Sequence, residues 1–166
     1  MAAGGRTAFI LTVSDRGSTG DRADTSGDGL AARLAMLGFA VEREMVPDER
    51  RRIESMLVAA ASRHPLIVTT GGTGLTPRDV TPQATLAVID YQVPGFAEAM
   101  RADGRAKTPM AILSRAVVGV RGKTLIVNLP GSPRGAAESL EAIVAVLPHA
   151  LETLAGPFEH IEAPSR

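Results

Sequence analysis

The sequence predicts an α/β protein with three layers, in which helices cover both faces of a doubly wound, mostly parallel sheet. Short apolar runs alternate with helical patterns along the first half of the chain, in the order strand, helix, strand, helix, strand. Alternation of this kind is typical of parallel sheets, whose strands are connected by crossover helices. Two further apolar runs, 116–120 and 124–129, flank Arg121-Gly122-Lys123. Their close spacing predicts a short antiparallel hairpin within the sheet.

The elements of the first half follow from local patterns. Strands are predicted at the short apolar runs 8–13 and 66–70, and a second strand, between them in the sequence, is predicted at residues 39–46. Leucines recur at helical spacing over 26–37, and Gly38 is placed to end that helix. The next helix is expected to begin at residues 47–49, whose carboxylates suit the positive end of the helix dipole. It is expected to end at His64-Pro65, because a proline disfavours helical conformation in the residue before it.

The elements of the second half are marked by prolines. Thr81 followed by Pro82 predicts a helix, with Thr81 as the cap and the proline at the first helical position. Ser132-Pro133 opens a last helix in the same way. Pro148 is expected to bend or break that helix, because proline removes a backbone donor from the helix interior.

Composition and charge restrict the class of protein. The chain has 166 residues, of which 45% are hydrophobic and 22% charged, and this usage predicts one globular domain over 1–166 with loose termini at 1–6 and 157–166. Eighteen basic and eighteen acidic side chains cancel, so no nucleic-acid partner is expected. Cysteine is absent, which excludes disulfides and thiol chemistry. Without an early apolar segment, we expect a cytoplasmic protein that does not associate with membranes.

Three polar, glycine-containing loops each follow a predicted buried strand, at residues 14–20, 71–79 and 130–133. In a doubly wound sheet such loops converge at the carboxyl ends of the strands, where ligands bind. Gly71, Gly72 and Gly74 would let backbone N–H groups turn toward a phosphate, although glycines equally suit a tight turn. The loop matches neither the phosphate-loop pattern nor the dinucleotide fingerprint. A generic GTPase or dehydrogenase is therefore disfavoured.

Two aspartates from different segments, Asp48 and Asp79, are expected to face the same crevice. Nucleotidyl transfer needs mainly a divalent cation, which prefers oxygen ligands, and groups that position the reacting oxygens. Two structural alternatives stay open: Asp48 as a helix N-cap, and Asp79 as an ion-pair partner of Arg78 or part of a turn. His64 and His149 lie at helix ends without a second ligand at metal-site spacing, so neither is assigned a role.

The sequence over 70–85, TGGTGLTPRDVTPQAT, resembles the signature of the MogA/MoaB family, to which the G domain of gephyrin also belongs. Shorter segments that resemble the family in the same order are LTVSD at 11–15, DTSG at 24–27, PGF at 94–96, LSR at 113–115 and LPGSP at 129–133. Together they cover nearly the whole chain. Gln83 departs from the glutamate expected there, and we expect it to affect helix-end electrostatics rather than chemistry.

The resemblance implies an α/β/α fold, a homotrimer, and formation of adenylyl-molybdopterin from molybdopterin and Mg-ATP with release of pyrophosphate. It implies that Asp48 and Asp79 are the catalytic aspartates and the ligands of Mg²⁺. The other residues that it places in the substrate pocket are Ser14, Asp15, Gly71, Gly72, Thr73, Gly74, Ser114, Pro130, Gly131, Ser132 and Pro133. The intact Pro47-Asp48-Glu49 favours the active, MogA-like branch, and a downstream molybdate-inserting enzyme is an implied partner.

Two other functions stay open. A non-catalytic molybdopterin carrier or scaffold of the same pathway would use the same crevice, and molybdopterin binding without turnover would favour it. An unrelated nucleotide-binding regulator could share the doubly wound sheet, because a fold alone does not fix a function. Tight ATP binding without any need for a pterin would favour the regulator.

Overall fold

The computed structural model describes residues 6–157, in which one six-stranded sheet is covered by helices. The strands are β1 (Thr7–Val13), β2 (Ala40–Val46), β3 (Leu66–Thr70), β4 (Tyr91–Gln92), β5 (Val118–Arg121) and β6 (Thr124–Leu129). The helices are α1 (Asp15–Ser18), α2 (Thr25–Met36), α3 (Arg50–Ala61), α4 (Thr81–Val88), α5 (Pro94–Arg105), α6 (Pro133–Val144) and α7 (Leu147–Ala155), with a 3₁₀ helix at Pro109–Leu113.

The sheet has the strand order β2-β1-β3-β6-β5-β4. The first four strands of this order are parallel, whereas β5 is antiparallel to both β6 and β4. The predicted doubly wound sheet with an antiparallel hairpin is therefore confirmed. From β1 the chain crosses to β2 on one side and returns to β3 on the other. This reversal places a ligand crevice at the carboxyl ends of β1 and β3.

The layers follow from the alternation of side chains along β1. Ile10 belongs to a buried cluster with apolar residues of α2, α5, α6 and α7, whereas Phe9 belongs to a second cluster with residues of α3 and α4. Successive residues of a strand face opposite sides of the sheet, so these clusters lie on opposite faces. Ala8 to Leu11 are completely buried, as expected of a strand covered on both faces.

The start of α3 does not match the interpretation of Asp48 as a helix N-cap. Glu49 occupies the N-cap position and makes no side-chain capping bond. The carboxylate of Asp48 instead accepts a hydrogen bond from the backbone N of Asp15, at 3.0 Å from its Oδ2. The interpretation of Asp48 as a helix N-cap is therefore wrong, because its side chain faces the loop after β1.

The start of α4 also differs from the prediction. Val80 occupies the cap position, while Thr81 and Pro82 lie in the first turn. The Thr81 Oγ1 donates to the backbone carbonyl of Gly71 at 2.9 Å. Thr81 is thus wrongly predicted as a cap, because its hydroxyl joins α4 to the loop after β3.

The last predicted helix is broken near Pro148, as expected, but the break lies at residues 145–146 and a further helix, which was not predicted, follows it. Helix α6 ends at Val144 and α7 begins at Leu147, with the proline in its first turn. The predicted loose termini lie outside the described residues, apart from Arg6 and Pro157. No helix between residues 6 and 157 has the length and apolar character needed to cross a membrane.

Candidate active site

A cavity of about 350 Å³ opens at the carboxyl ends of β1 and β3. We call it the acidic cavity, because Asp24, Asp48 and Asp79 line it. All three predicted loops contribute. The members of the predicted site that line it are Ser14, Asp48, Gly71, Gly72, Asp79, Gly131, Ser132 and Pro133. The structure therefore brings the two predicted aspartates to one cavity.

A second cavity, of about 300 Å³, holds the rest of the predicted loop residues apart from Asp15. We call it the apolar cavity. Its apolar lining residues, from α5, the 3₁₀ helix and the segment after it, are Ala97, Met100, Met110, Ala111, Leu113 and Ala116. The predicted residues that line it are Thr73, Gly74, Ser114, Pro130 and Ser132. Ser132 lines both cavities, so the two lie on either side of the loops that follow β3 and β6.

The loop after β3 can take its path only with glycine at two positions. Gly71 has φ +101° and Gly72 has φ +68°, a region that side chains with a Cβ rarely adopt. A Cβ on Gly71 would lie 2.2 Å from the carbonyl oxygen of Val13. A Cβ on Gly72 would lie 2.3 Å from the Oγ1 of Thr81 and 3.2 Å from the Oδ1 of Asp48. The positive φ values and these close neighbours therefore favour glycine at both positions.

Asp15 and Asp48 form a reciprocal pair at the ends of β1 and β2. The backbone N of Asp15 donates to the Oδ2 of Asp48, and the backbone N of Asp48 donates to the Oδ1 of Asp15, both at 3.0 Å. Each carboxylate thus satisfies the other residue's backbone donor. Two loops that are distant in the sequence are joined by this exchange, which fixes the Asp48 side chain.

Arg78 pairs with Asp15 and not with its sequence neighbour Asp79. Its Nε and Nη2 donate to the two carboxylate oxygens of Asp15 at 2.9 and 2.7 Å. The predicted Arg78–Asp79 ion pair is therefore wrong. The Oδ2 of Asp79 accepts hydrogen bonds from the backbone N and the Oγ1 of Thr76, at 2.9 and 2.7 Å. The alternative that Asp79 takes part in a turn is confirmed, and its carboxylate still lines the acidic cavity.

The two paired aspartates have opposite pKa shifts. Burial raises the pKa of Asp48, and the charges of Asp15 and Asp79 raise it further, against the opposing hydrogen bond from the Asp15 backbone. Hydrogen bonds from the Arg78 guanidinium lower the pKa of Asp15. Positive charge near Asp48 would stabilise its ionised form, whereas Asp15 already has an arginine beside it.

The carboxylates of Asp48 and Asp79 fit a magnesium ion. In both residues the hydrogen bonds above are accepted by Oδ2, and within residues 6–157 no protein group donates to either Oδ1. No group of three or more His, Asp or Glu side chains suited to a metal occurs in this described part either. Mg²⁺ is usually held by one or two carboxylates together with substrate phosphates rather than by an all-protein cage. A pair of aspartates in an open cavity suits that mode.

The cavity residues that were missed from the sequence include Asp24 and Ser26. Asp24 caps α2 through the backbone N of Gly27 and accepts hydrogen bonds from the Thr12 hydroxyl and from Arg43. Ser26 Oγ lies 2.6 Å from Thr70 Oγ1 in the buried floor of the acidic cavity. Asp24 and Ser26 belong to the resembling DTSG segment over 24–27, which is the signal that could have marked them.

Arg115 is a further residue of the site region that sequence analysis missed. Its guanidinium donates to the backbone carbonyls of Gly74 and Asp79 and to the side chain of Gln83. Gln83, the residue that stands in place of the expected glutamate, therefore has a hydrogen-bond partner in Arg115. Arg115 follows the predicted site residue Ser114 in the resembling LSR segment, but nothing in its sequence position indicated which backbone groups it would contact.

A doubly wound α/β protein with a polar crevice at the reversal of its strand order belongs to the class that binds small molecules at that crevice. A family model described as "Probable molybdopterin binding domain" matches residues 9–149. The chain belongs to this family, and the resemblance found in its sequence is confirmed.

Named relatives cover most of the chain. It is 39% identical over 157 residues to the molybdopterin adenylyltransferase of Helicobacter pylori (strain J99 / ATCC 700824), covering 92% of this chain and 89% of the relative. It is 40% identical over 167 residues to the molybdopterin adenylyltransferase of Escherichia coli (strain K12), covering 90% and 85%. The crystal structure of the molybdopterin biosynthesis enzyme MoaB from Thermus thermophilus is 54% identical, with a TM-score of 0.83, and the match covers 93% of this chain and 99% of that one.

Proposed function

We propose that this chain is a molybdopterin adenylyltransferase, which transfers AMP from ATP to the phosphate of molybdopterin and releases pyrophosphate. The observation that carries the proposal is the arrangement of Asp48 and Asp79. They come from separate loops, line one cavity, and each keeps its Oδ1 without a protein hydrogen bond in the described chain. Identity of about 40% to proteins of that name over most of the chain supports the same activity.

The reacting phosphates are proposed to meet in the acidic cavity. An oxygen of the molybdopterin phosphate attacks the α-phosphorus of ATP in line, a new P–O bond forms, and the bond to the pyrophosphate oxygen breaks. Three aspartates and one arginine, Arg22, line this cavity, and the excess of carboxylates would repel phosphates on its own. Bound Mg²⁺ would supply positive charge to the phosphate oxygens and the leaving pyrophosphate. Asp48 and Asp79 are the residues proposed to hold it.

The backbone around the cavity is proposed to orient the substrates. The positive φ values of Gly71 and Gly72 turn successive peptide groups, a conformation suited to anions. Helix α6 begins at Pro133, and its N-terminus lies at the cavity beside Ser132. The partial positive charge of a helix N-terminus favours a phosphate there. These groups, with Ser14 and Gly131, are proposed to contact substrate.

The apolar cavity is proposed to hold a planar ring of one substrate. It lies next to the acidic cavity and shares Ser132 with it, so a ring placed there could carry its phosphate toward Asp48 and Asp79. Methionine side chains such as Met100 and Met110 adapt their shape to flat apolar surfaces. Thr73, Gly74, Ser114 and Pro130 are proposed to line this ring site. Both the pterin and the adenine have suitable ring systems.

The assembly and surroundings are proposed from the family. We propose a cytoplasmic homotrimer whose product passes to a downstream molybdate-inserting enzyme. Exposed apolar side chains on the 3₁₀ helix, Met110 and Ile112, each 61% exposed, support association with another chain. A mass measurement in solution tests the trimer, and a monomer would contradict it without affecting the proposed chemistry.

The activity is tested by mixing purified protein with molybdopterin, ATP and Mg²⁺ and measuring adenylyl-molybdopterin and pyrophosphate. Asp48→Asn and Asp79→Asn are expected to lower turnover by about 10²- to 10³-fold, because each removes a charge aimed at the reacting phosphates. Asp90→Asn is the matched control, since Asp90 accepts a hydrogen bond from the Gly122 backbone in the hairpin, away from both cavities. Thermal unfolding checks that each variant is folded.

The same experiment separates the carrier from the enzyme. If the wild-type protein binds molybdopterin but releases no pyrophosphate, the protein is a carrier. Tight ATP binding that needs no pterin would instead indicate a nucleotide-binding regulator. If Asp90→Asn lost as much turnover as the other two variants, the specific roles of Asp48 and Asp79 would be wrong.

A further inference from the structure

We propose that Arg115 is a positioning residue that holds the segment 74–79 in place, and with it the carboxylate of Asp79. The inference rests on the proposed function of Asp79 in adenylyl transfer. Arg115 itself is not placed at the reacting atoms. It acts through the backbone of the segment that presents Asp79 to the acidic cavity.

The contacts of Arg115 reach both ends of this segment. Its Nε donates to the carbonyl oxygen of Gly74 at 2.8 Å, and its Nη2 donates to the carbonyl oxygen of Asp79 at 2.7 Å. Its backbone N donates to the carbonyl oxygen of Thr73 at 3.0 Å. One side chain therefore fixes the distance between the first and last residues of the segment.

The middle of the segment has few contacts with the body of the protein. Residues 75–78 are exposed, and the Leu75 side chain is 64% exposed. Hydrogen bonds join Thr76 and Asp79 to each other, so they shape the turn without anchoring it. Arg78 provides one outer anchor through Asp15. Arg115 holds the segment from the side that faces the protein interior, because its own side chain is partly buried.

The third contact of the Arg115 side chain extends the anchor to α4. Its Nη1 donates to the Oε1 of Gln83, at 3.2 Å, and Gln83 lies in the first turn of that helix. A planar guanidinium presents several donors in a fixed fork, whereas a lysine ammonium is a single point on a flexible stem. Lysine can keep the charge but cannot satisfy all three acceptors together. An Arg115→Lys change is therefore a specific test of the geometry.

The position of Asp79 depends on this anchor. Its Oδ2 is held by Thr76, which belongs to the same segment, so a shift of the backbone moves the carboxylate as well. A Cβ built on Gly74 would lie 3.0 Å from the same Oδ2, which leaves the carboxylate little freedom on that side. Misplacing a catalytic group by about 1 Å can lower a rate by about 10²-fold.

The test compares Arg115→Lys with Arg121→Lys by amide hydrogen exchange and by turnover. Arg121 is a matched control, because its Nη1 donates to the carbonyl oxygen of Val88 at the other end of α4, at 2.7 Å. In Arg115→Lys the amides of Thr76 and Asp79 are expected to exchange about tenfold faster, since the turn opens more often. Turnover is expected to fall about 10- to 100-fold. Arg121→Lys is expected to change neither quantity.

A double-mutant cycle shows whether the effect passes through Asp79. Introduced into Asp79→Asn, Arg115→Lys is expected to lower turnover by no more than about twofold, because the group that it positions is already removed. If Arg115→Lys fails to fold, Gln83→Met is measured in its place. It deletes only one acceptor and is expected to give a smaller change of the same kind.

Unchanged exchange of Thr76 and Asp79 in Arg115→Lys would overturn the proposal. So would an equal loss of turnover with and without Asp79, because a general structural role would give additive losses. A wild-type protein that makes no product would overturn the proposed function instead. In that case, amide hydrogen exchange would still show whether Arg115 holds the segment 74–79 in place.

Discussion

The acidic and apolar cavities lie side by side but are built from different parts of the fold. The acidic cavity is framed by loops that follow β1, β2, β3 and β6, and strand pairing fixes the start of each of those loops. The apolar cavity is framed largely by α5, the 3₁₀ helix and α6. Its lining includes Met110, an exposed and flexible side chain.

The difference shows how one chain can combine rigid and adaptable binding. Charged groups act on reacting phosphates only when their positions are fixed beforehand, which the sheet provides. A ring system needs apolar area of about the right shape, which helices with methionine can provide. Ser132 lines both cavities, so a change there should affect both, whereas Gly71 and Gly72 line only the acidic cavity. A change to a residue that lines only one of the two cavities should affect only that cavity.

The largest expected effect comes from Gly71→Ala in the loop after β3, at the acidic cavity. The new Cβ would approach the Val13 carbonyl oxygen at 2.2 Å with φ at +101°, and the variant is expected to lose about 3 kcal/mol or more of stability. Gly20→Ala is the control, because Gly20 has φ +81° with open space around it and should lose only about 1 kcal/mol. Thermal unfolding measures both. Equal losses would show that the close approach at Gly71 has no effect.

A smaller effect is expected when the apolar cavity is filled. Ser139 lies on α6 and lines this cavity, so Ser139→Phe should raise KM for one substrate about tenfold and leave the other within about twofold. Ala137→Phe is the control on the exposed side of the same helix. The substrate whose KM rises is the one whose ring occupies the cavity. A fall in kcat with both KM values unchanged would contradict a ring site there.

The smallest expected effects are shifts of Tm with pH. Because the pKa of Asp48 is raised on folding, the folded state loses stability as pH rises from 3.8 through the raised pKa. Asp48→Asn is therefore expected to raise Tm slightly at neutral pH, and the gain should vanish below the unfolded pKa.

Asp15→Asn should act in the opposite direction. The pKa of Asp15 is lowered, so its stabilisation is present above 3.8 and is lost as pH falls through the folded value. This variant is expected to lower Tm at neutral pH, with a difference that shrinks in acid. Melting curves of both variants from about pH 3 to 8 make the comparison. Shifts of the same sign in both would contradict the opposite environments assigned to the pair.

The sequence indicated the acidic cavity well and the apolar cavity poorly. Strands such as 66–70 are continuous apolar runs, and loops that follow parallel strands converge, so the contributions of Asp48 and Gly71 could be expected. The Arg78–Asp15 pair could not be predicted, because it depends on where the loop after β3 lies relative to the loop after β1. Helix α5 and strand β4 were not predicted either.

The helix caps show a similar limit. Asp48 and Thr81 have the residue types and positions of caps, yet both side chains bond to other loops. Local preference is weak where a tertiary partner is available. The split of the predicted site into two cavities depends on α5 and the 3₁₀ helix, which pack beside the loops only in the folded chain.

The hydroxyl of Thr70 has a consequence for the order in which the site is completed during synthesis. Thr70 Oγ1 donates its single proton to the carbonyl oxygen of Pro130 at 2.7 Å, so Ser26 must be the donor in its 2.6 Å contact with Thr70. Thr70 is thus linked by hydrogen bonds to Ser26, which lies 44 positions before it in the sequence, and to Pro130, which lies 60 positions after it. Residues 7–70, which include β1, β2 and β3, leave the ribosome before Pro130 does. A growing polypeptide cannot close the floor of the crevice until residues beyond Pro130 have left the ribosome.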